Sequence, residues 1–340
     1  RADRVPESIE AFEQIAREGH GAIGIRSMYF AGLLLDGRDF HERAHAHFEK
    51  VARSRSFPEL AQGAIWRLAW REYLDGDCGT ALPRFERLLE LEKDAIVGLQ
   101  YRYWRARCLE KLGHPDAAAE FASMTEEYPF TYYGWRSSFR LSAAARESAT
   151  RTGRKLADGR RTVAGASLVR AQILLGAGYP DFARLELRSY EPRSLSLGDR
   201  LDLAQLMGDA GDYNAAQLLF VSRYVGLLAG GPVPRREDVW WHAWPVAYAD
   251  AVERAVARPG AAGRELVYAI MREESSFRPT VLSPAGAYGL MQIMPATGER
   301  LARDTGRRSF TADDLLVPEI NVELGAHYLG ELSACFTDRL

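Results

Sequence analysis

At 340 residues, with 47% hydrophobic and 26% charged residues, the chain has the composition of an ordinary soluble globular protein, long enough for two or three domains. A formal net charge of −2 gives no broad attraction to nucleic acid or to an anionic membrane, and no apolar run reaches the about 18–20 residues of a membrane-spanning helix. Cys78, Cys108 and Cys335 have neither zinc nor redox spacing, so they are expected as buried or half-buried free thiols.

Residues 1–230 read as helix after helix, with few alternating β-branched runs and no Asn-Gly or Asp-Gly hairpin. A Gly-x-x-x-x-Ala unit recurs at Gly76–Ala81, Gly113–Ala118, Gly178–Ala183 and Gly211–Ala216, and Phe85, Phe121 and Phe220 follow three of these glycines. Helical hairpins repeating at about 34 residues are the tetratricopeptide-like pattern. The Gly supplies a left-handed turn and the Ala lets paired helices approach. Such hairpins stack into a superhelix, because none buries its apolar face alone. Trp66, Trp70, Tyr101 and Trp104 then read as packing between repeats before they read as a ligand-facing wall.

The aromatic run EYPFTYYGW at 127–135 is expected to start a helix after Pro129 and to serve as a joint. The Arg-rich segment 147–166 reads as a linker, and 229–237 as a boundary rich in Gly and Pro. Trp240, Trp241, Trp244 and Pro245 follow it and precede a helix to about Ala257, with interface packing ahead of sugar platforms as their expected use.

The chain is organised around Leu266–Pro295, LVYAIMREESSFRPTVLSPAGAYGLMQIMP. Leu266, Ile270 and Glu274 share one helical face, and a carboxylate that continues an apolar stripe is expected to lose water on folding. Desolvation of this kind makes a general acid at neutral pH. Glu273 points about 100° away and is expected to be solvated. The plainer alternative for Glu274 is a surface ion pair with Arg272 or Arg278. Ser283 is equally a hydrogen-bond donor to Glu274 or sugar and a turn-initiating Ser before Pro284. Gly286 and Gly289 allow backbone to approach a bulky ligand. A second apolar segment begins at Gly289, where a Gly-Leu-Met-Gln turn is expected to open the next helix with Met291 and Gln292 at its start. Asp304, Asp313, Asp314 and Glu323 offer no second carboxylate opposite Glu274, which disfavours the two-carboxylate scheme of most glycosidases.

Glu274-Ser275, Ser283 nine residues later, and Gly289-Leu290-Met291-Gln292 closely resemble the catalytic core of lytic transglycosylases, specifically the soluble periplasmic type with a long helical N-terminal region. The aromatic run at 127–135 resembles that helical region more loosely. Pro318, Asn321, Gly325 and Tyr328 fall where the family's following helix has them. The resemblance implies an all-α chain: a tetratricopeptide-like α-superhelix at 1–230, a linker and connecting helix at 231–260, and a lysozyme-like, mainly helical catalytic domain at 261–340. It implies Glu274 as the catalytic acid and then base, with Ser275, Ser283, Gly289, Leu290, Met291 and Gln292 as substrate contacts.

The expected reaction cleaves the bond between N-acetylmuramic acid and N-acetylglucosamine in peptidoglycan and closes a 1,6-anhydro ring, with no metal or cofactor. The implied partner is the glycan strand, with no nucleic acid and no transmembrane segment, and no sequence feature names a cell-wall synthesis or division protein. The implied compartment is the periplasm, and the start at Arg1 without Met is expected where a signal peptide has been removed or left out. The family's Tyr-Asn-Ala-Gly segment does not occur before Leu340, so the catalytic domain is expected to be incomplete at its C-terminus and its groove to lack one wall. That departure carries two alternatives: a lysozyme-like hydrolase releasing reducing ends, and a catalytically inactive or incomplete helical scaffold that binds peptidoglycan.

Overall fold

The computed structural model describes residues 4–19, 21–142, 166–190, 195–232 and 237–336. Among them are seventeen α-helices and one short 3-10 helix, with no strand. The chain divides into two compact units, Arg1–Arg154 with Gly226–Gly231, and Lys155–Val225 with Pro232–Leu340. Of the expected linker 147–166, all but its last residue lies outside the described residues, as do 233–236 of the expected boundary.

The first unit contains α1 (Val5–Glu18), α2 (Gly21–Asp36), α3 (His41–Ala52), α4 (Pro58–Leu74), α5 (Cys78–Leu91), α6 (Ala95–Lys111), α7 (Asp116–Glu127) and α8 (Tyr132–Ser138). Each packs on the next, as consecutive helical hairpins must. Their starts are written locally. Pro58 opens α4, the Asp77 carboxylate accepts the Thr80 N–H at the head of α5, and the Asp94 carboxylate accepts two N–H groups at the head of α6.

The repeated glycines do what their spacing predicts. Gly76, Gly113, Gly178 and Gly211 all have positive φ, between 70° and 86°. The N–H that follows each glycine donates to the carbonyl five residues earlier: Asp77 to Glu72, His114 to Leu109, Tyr179 to Leu174 and Asp212 to Met207. Ala81, Ala183 and Ala216 are buried, and so are Phe85, Phe121 and Phe220. One copy departs: Ala118 is exposed and Ala117 takes the buried place. There the helix starts three residues after the glycine rather than two, yet the buried alanine and Phe121 both fall one position earlier than in the other copies.

Trp66 and Trp70 stack at 5.9 Å, Trp70 meets Trp104 edge-on at 4.6 Å, and Trp66 meets Tyr101 at 5.7 Å, all within or against one core cluster. Packing between hairpins is therefore their use. Cys78 and Cys108 are free and buried in that cluster, whereas Cys335 is exposed, against expectation, on the last helix. The helix after Pro129 begins at Tyr132, capped by the Thr131 hydroxyl accepting the Gly134 N–H. The Phe130 N–H donates to the Ala229 carbonyl, joining Gly226–Gly231 to this aromatic segment.

The second unit contains α9 (Ala166–Gly176), α10 (Pro180–Leu187), α11 (Leu197–Asp209) and most of α12 (Tyr213–Leu228). After them come α13 (Glu237–Ala243), α14 (Ala249–Val256), α15 (Arg264–Ser275), α16 (Pro295–Asp304), the 3-10 helix Ala312–Leu316 and α17 (Pro318–Phe336). Helix α17 is the axis of the last block, contacting α14, α15, α16 and the 3-10 helix. Two of its glycines explain how closely it is approached. A Cβ at Gly330 would lie 1.8 Å from the Gly260 carbonyl, and one at Gly325 would lie 2.2 Å from the Met291 sulfur. The block's core is apolar and continuous: Val267, Met271, Phe277, Leu290, Leu301, Leu315 and Val322.

Candidate active site

Helix α15 buries Val267, Met271 and Ser275, spaced four apart, against this core. The stripe one residue earlier, Leu266–Ile270–Glu274, faces outward: Leu266 is 41% exposed, Ile270 is half-buried and Glu274 is exposed. This corrects the expected desolvation of Glu274. Both stripes are apolar, and the packing of α14 and α17 selects the neighbouring one. The two glutamates are nonetheless distinguished. Arg272 pairs with Glu273 at 2.7 Å, and its guanidinium lies 4.7 Å from the Trp244 ring centre. No described side chain is hydrogen-bonded or ion-paired to Glu274. The surface ion pair offered as its alternative is absent among the described residues, since Arg278 donates from Nε to the Ser275 carbonyl instead.

The helix ends in two consecutive left-handed residues, Ser276 (φ 50°) and Phe277 (φ 63°), a conformation that costs L-residues about 1–2 kcal/mol each. It persists because it is held on several sides. The Phe277 ring is buried, and the Ser276 N–H returns to Arg272 O. The Asn214 Nδ2 donates to Ser276 O at 2.9 Å, and the Tyr248 hydroxyl donates to Phe277 O at 3.3 Å. Burial pushes the Tyr248 phenol well above its ordinary range, so it stays a neutral donor. These long-range ties were not visible in the sequence.

Beyond the helix, the chain folds into a compact double turn. Ser283 Oγ accepts the Ala287 N–H at 2.9 Å, so the turn-forming role is realised while its own proton stays available. Tyr288 makes isolated bridges to Leu282 and Ile293. The expected Gly-Leu-Met-Gln turn is present, but the helix it opens starts later than Met291 and Gln292. Gly289 (φ 75°) and Gln292 (φ 48°) are both left-handed, and α16 begins only at Pro295. The Val281 carbonyl accepts from the Gly289 N–H at 2.9 Å and from Gln292 Nε2 at 3.2 Å, and Gln292 Nε2 also reaches Gly289 O at 2.8 Å. The Gln292 amide donors are thus spent on the turn, which leaves its carbonyl oxygen for a ligand.

Asn321 of α17, fully buried, holds this turn. Its Oδ1 accepts the Met291 N–H at 2.8 Å, and its Nδ2 donates to Tyr288 O at 2.9 Å and Leu315 O at 2.8 Å. Gly289 sits so close that a Cβ would lie 2.2 Å from Leu315 O and 2.5 Å from Asn321 Nδ2. An Asn inside the apolar segment Leu316–Leu329 was the available signal for such a hub.

The seven expected site residues therefore separate. Glu274 is exposed, and Ser283 and Gln292 are half-buried. Ser275 is buried with its hydroxyl donating to Met271 O at 2.9 Å, Gly289 and Leu290 are buried, and Met291 packs on Gly325. These four build the scaffold of the turn, and the expectation that Ser275, Leu290 and Met291 present side chains to sugar is corrected by their burial. Three of the four other carboxylates considered are occupied. Asp304 pairs with Arg300, Asp314 caps the 3-10 helix through Thr311, and Glu323 pairs with Arg258 and Arg307, while Asp313 is exposed on the 3-10 helix. No group of three or more metal-ligating side chains forms among the described residues.

Comparison with known proteins places this geometry. Residues 253–340 match the family described as the transglycosylase SLT domain. Over 91 residues the chain is 37% identical to the soluble lytic murein transglycosylase of Escherichia coli, covering 25% of this chain and 13% of that protein. It is 40% identical over 91 residues to the membrane-bound lytic murein transglycosylase C of Edwardsiella ictaluri, covering 25% of this chain and 24% of that one. By fold it resembles the crystal structure of the 70 kDa soluble lytic transglycosylase of E. coli, with a TM-score of 0.67 at 21% identity, over 99% of this chain and 52% of that one. A lytic transglycosylase Slt from Pseudomonas aeruginosa gives 0.62 at 23% identity, over 92% and 47%.

Residues 253–340 are thus similar in sequence to the transglycosylase SLT domain, and nearly the whole chain is similar in fold to the solved soluble lytic transglycosylases. Its architecture is the expected one, a helical superhelix with a lysozyme-like domain. It spans about half the length of the solved relative and an eighth of the curated soluble one.

Proposed function

We propose that this chain is a peptidoglycan lytic transglycosylase of the periplasm, with Glu274 as its single catalytic carboxylate. The observation that carries the reading is the match of residues 253–340 to the transglycosylase SLT domain, within which the Glu274 carboxylate stands unpaired among the described residues at a braced helix end. In the proposed reaction, Glu274 donates its proton to the glycosidic oxygen as the bond from C1 of the muramoyl residue breaks. The N-acetyl group of the sugar shares the positive charge at C1. The Glu274 carboxylate then takes the proton of the C6 hydroxyl, whose oxygen bonds to C1 and closes the 1,6-anhydro ring. The same residue serves as acid and then base, and water is not consumed. Ser283 offers its free O–H and Gln292 its amide oxygen to the sugar, while Ser275, Gly289, Leu290 and Met291 fix the turn that presents them. We further propose residues 1–230 as a superhelix that holds glycan strands, 231–260 as the connection, and 261–340 as the catalytic part.

One observation favours a second reading, a peptidoglycan-binding scaffold without activity. Glu274 is exposed, and no described group removes it from water. Mass spectrometry of soluble products from purified peptidoglycan separates the readings. The transglycosylase yields anhydromuropeptides, reduced at least about 100-fold in Glu274→Gln. Reducing-end products would replace it with a hydrolase, and no products from either protein would leave the scaffold.

A further inference from the structure

The first unit carries a cavity that the proposed reaction does not use. Helices α3 and α5 each pack on α4 and make little contact with one another, which leaves a trough between them. Its volume is about 600 Å³, well within the about 300–1,000 Å³ of small-ligand pockets. Ile65 of α4, Ala52 of α3 and Pro83 of α5 give it an apolar lining.

Its polar lining is cationic and partly fixed in place. Arg84 donates from Nε to both Glu72 oxygens, at 2.8 and 2.9 Å, and from Nη2 to Glu49 at 2.5 Å. Two carboxylates on two other helices thus hold its guanidinium in the trough. Arg53 reaches the other Glu49 oxygen at 3.5 Å, and Arg87 donates from Nη1 to Glu90 at 2.7 Å. These bonds leave Nη1 of Arg84, Nε and Nη1 of Arg53, and Nε and Nη2 of Arg87 without a partner among the described residues. Glu49 is the only carboxylate of the lining, and two guanidiniums already occupy it. Three guanidiniums against one occupied carboxylate call for an anion, and the planar fork of Arg suits a carboxylate.

Thr80 adds the opposite polarity. Its hydroxyl serves the Asp77 carboxylate, so its oxygen remains an acceptor. An acceptor and an apolar floor among cations fit a peptide, with its N–H groups and side chains, better than an inorganic anion or a neutral sugar. The lining has no free carboxylate to receive an ammonium group. The fitting occupant is therefore an internal stretch of a longer chain, acidic and apolar, with neither lysine nor a free N-terminus.

We propose that this trough is a docking surface for a short acidic segment of a partner protein, its carboxylates on Arg53, Arg84 and Arg87 and an apolar side chain over Ile65. Arg84, held on two sides, is the fixed anchor. Arg53 and Arg87, with side chains 80% and 57% exposed, close on the segment from the two walls. The surface does not depend on the transglycosylase reading, since its residues lie in the first unit and Glu274 in the second.

The test is fluorescence anisotropy with a labelled, acetylated and amidated Glu-Leu-Asp-Leu-Glu peptide. The parent should bind it at least about tenfold more tightly than Gln-Leu-Asn-Leu-Gln, and at least about threefold more tightly than Glu-Ser-Asp-Ser-Glu. Arg53→Gln and Arg87→Gln should each weaken the acidic peptide about threefold, and together about tenfold, with an unchanged melting temperature. Arg84→Gln strips the buried Glu72 of its partner and can unfold the unit, so the two exposed arginines decide the matter. Equal binding of the acidic and neutral peptides, or unchanged binding in the double Gln variant, overturns the proposal. Displacement by millimolar phosphate overturns the peptide in favour of a generic anion. Tighter binding of muropeptides from digested peptidoglycan overturns the partner protein in favour of the wall. Anhydro products without peptide binding sink the trough alone, whereas peptide binding without such products sinks the catalytic reading and keeps the trough.

Discussion

Glycine is used in two ways in this molecule. In the hairpins, Gly76, Gly113 and Gly178 have positive φ but nothing within 4 Å of where a Cβ would stand. They relieve backbone strain at the surface and touch nothing. Around the candidate site, Gly289 has the same φ and is also pressed against Leu315 and Asn321. The same contrast holds for other residues. Of the five described non-glycine residues with positive φ, Tyr248, Ser276, Phe277 and Gln292 lie in the second unit at or near the site, and only Asp39 lies in the first. The hairpins are held by repeated local rules and apolar packing. The site is held by strained backbone that buried polar groups fasten from a distance, a distribution found where geometry serves function.

Substitutions can sharpen or break that contrast. Gly289→Ala combines a left-handed backbone with a clash against a carbonyl, and should cost about 4 kcal/mol or more in stability. Hydrogen exchange should rise across 264–330 and leave 78–124 unchanged. Asn321→Leu leaves the Met291 N–H and the Leu315 carbonyl without their partner and the Tyr288 carbonyl with only the Ile293 N–H, for about 3 kcal/mol, read by the same exchange. Gly113→Ala should cost only about 1–2 kcal/mol, with the loosening confined to peptides around that turn. A loss at Gly113 as large as at Gly289 would erase the distinction.

The smallest effect concerns pH. His242 stacks on Phe220, and burial pushes its imidazole below the ordinary histidine range against the pull of Asp238 and Asp209. The unfolded chain therefore takes up this proton first. Its contribution to stability is complete above about pH 6.5 and falls as the pH drops below that value. Melting temperatures at pH 7 and pH 5 should differ less in His242→Phe than in the parent.

The hairpins were legible because their information is local: a glycine for the turn, then an alanine and a phenylalanine at set distances. Glu274 was legible as a residue but not in its surroundings. Leu266–Ile270–Glu274 and Val267–Met271–Ser275 are adjacent stripes of similar apolarity, and residues more than about 40 positions away along α17 decide which one is buried. The helix expected to open from the turn at Gly289–Gln292 starts only at Pro295 for a related reason. Its apolar side chains suit either structure, and what prevents the helix is the pair of left-handed residues fastened by Val281 and Asn321.

The hairpin after Gly113 bears on how such a chain changes length. Its buried alanine and Phe121 keep the four-residue spacing of Ala81 and Phe85 and of Ala216 and Phe220, although both stand one position nearer their glycine. A hairpin whose turn ends in its own hydrogen-bonded glycine therefore tolerates a change in the spacing from glycine to buried pair while the pair keeps its own register on the helix. The turn held by Asn321 has no such freedom, so length variation in this lineage should collect in the hairpins and spare the block around Glu274.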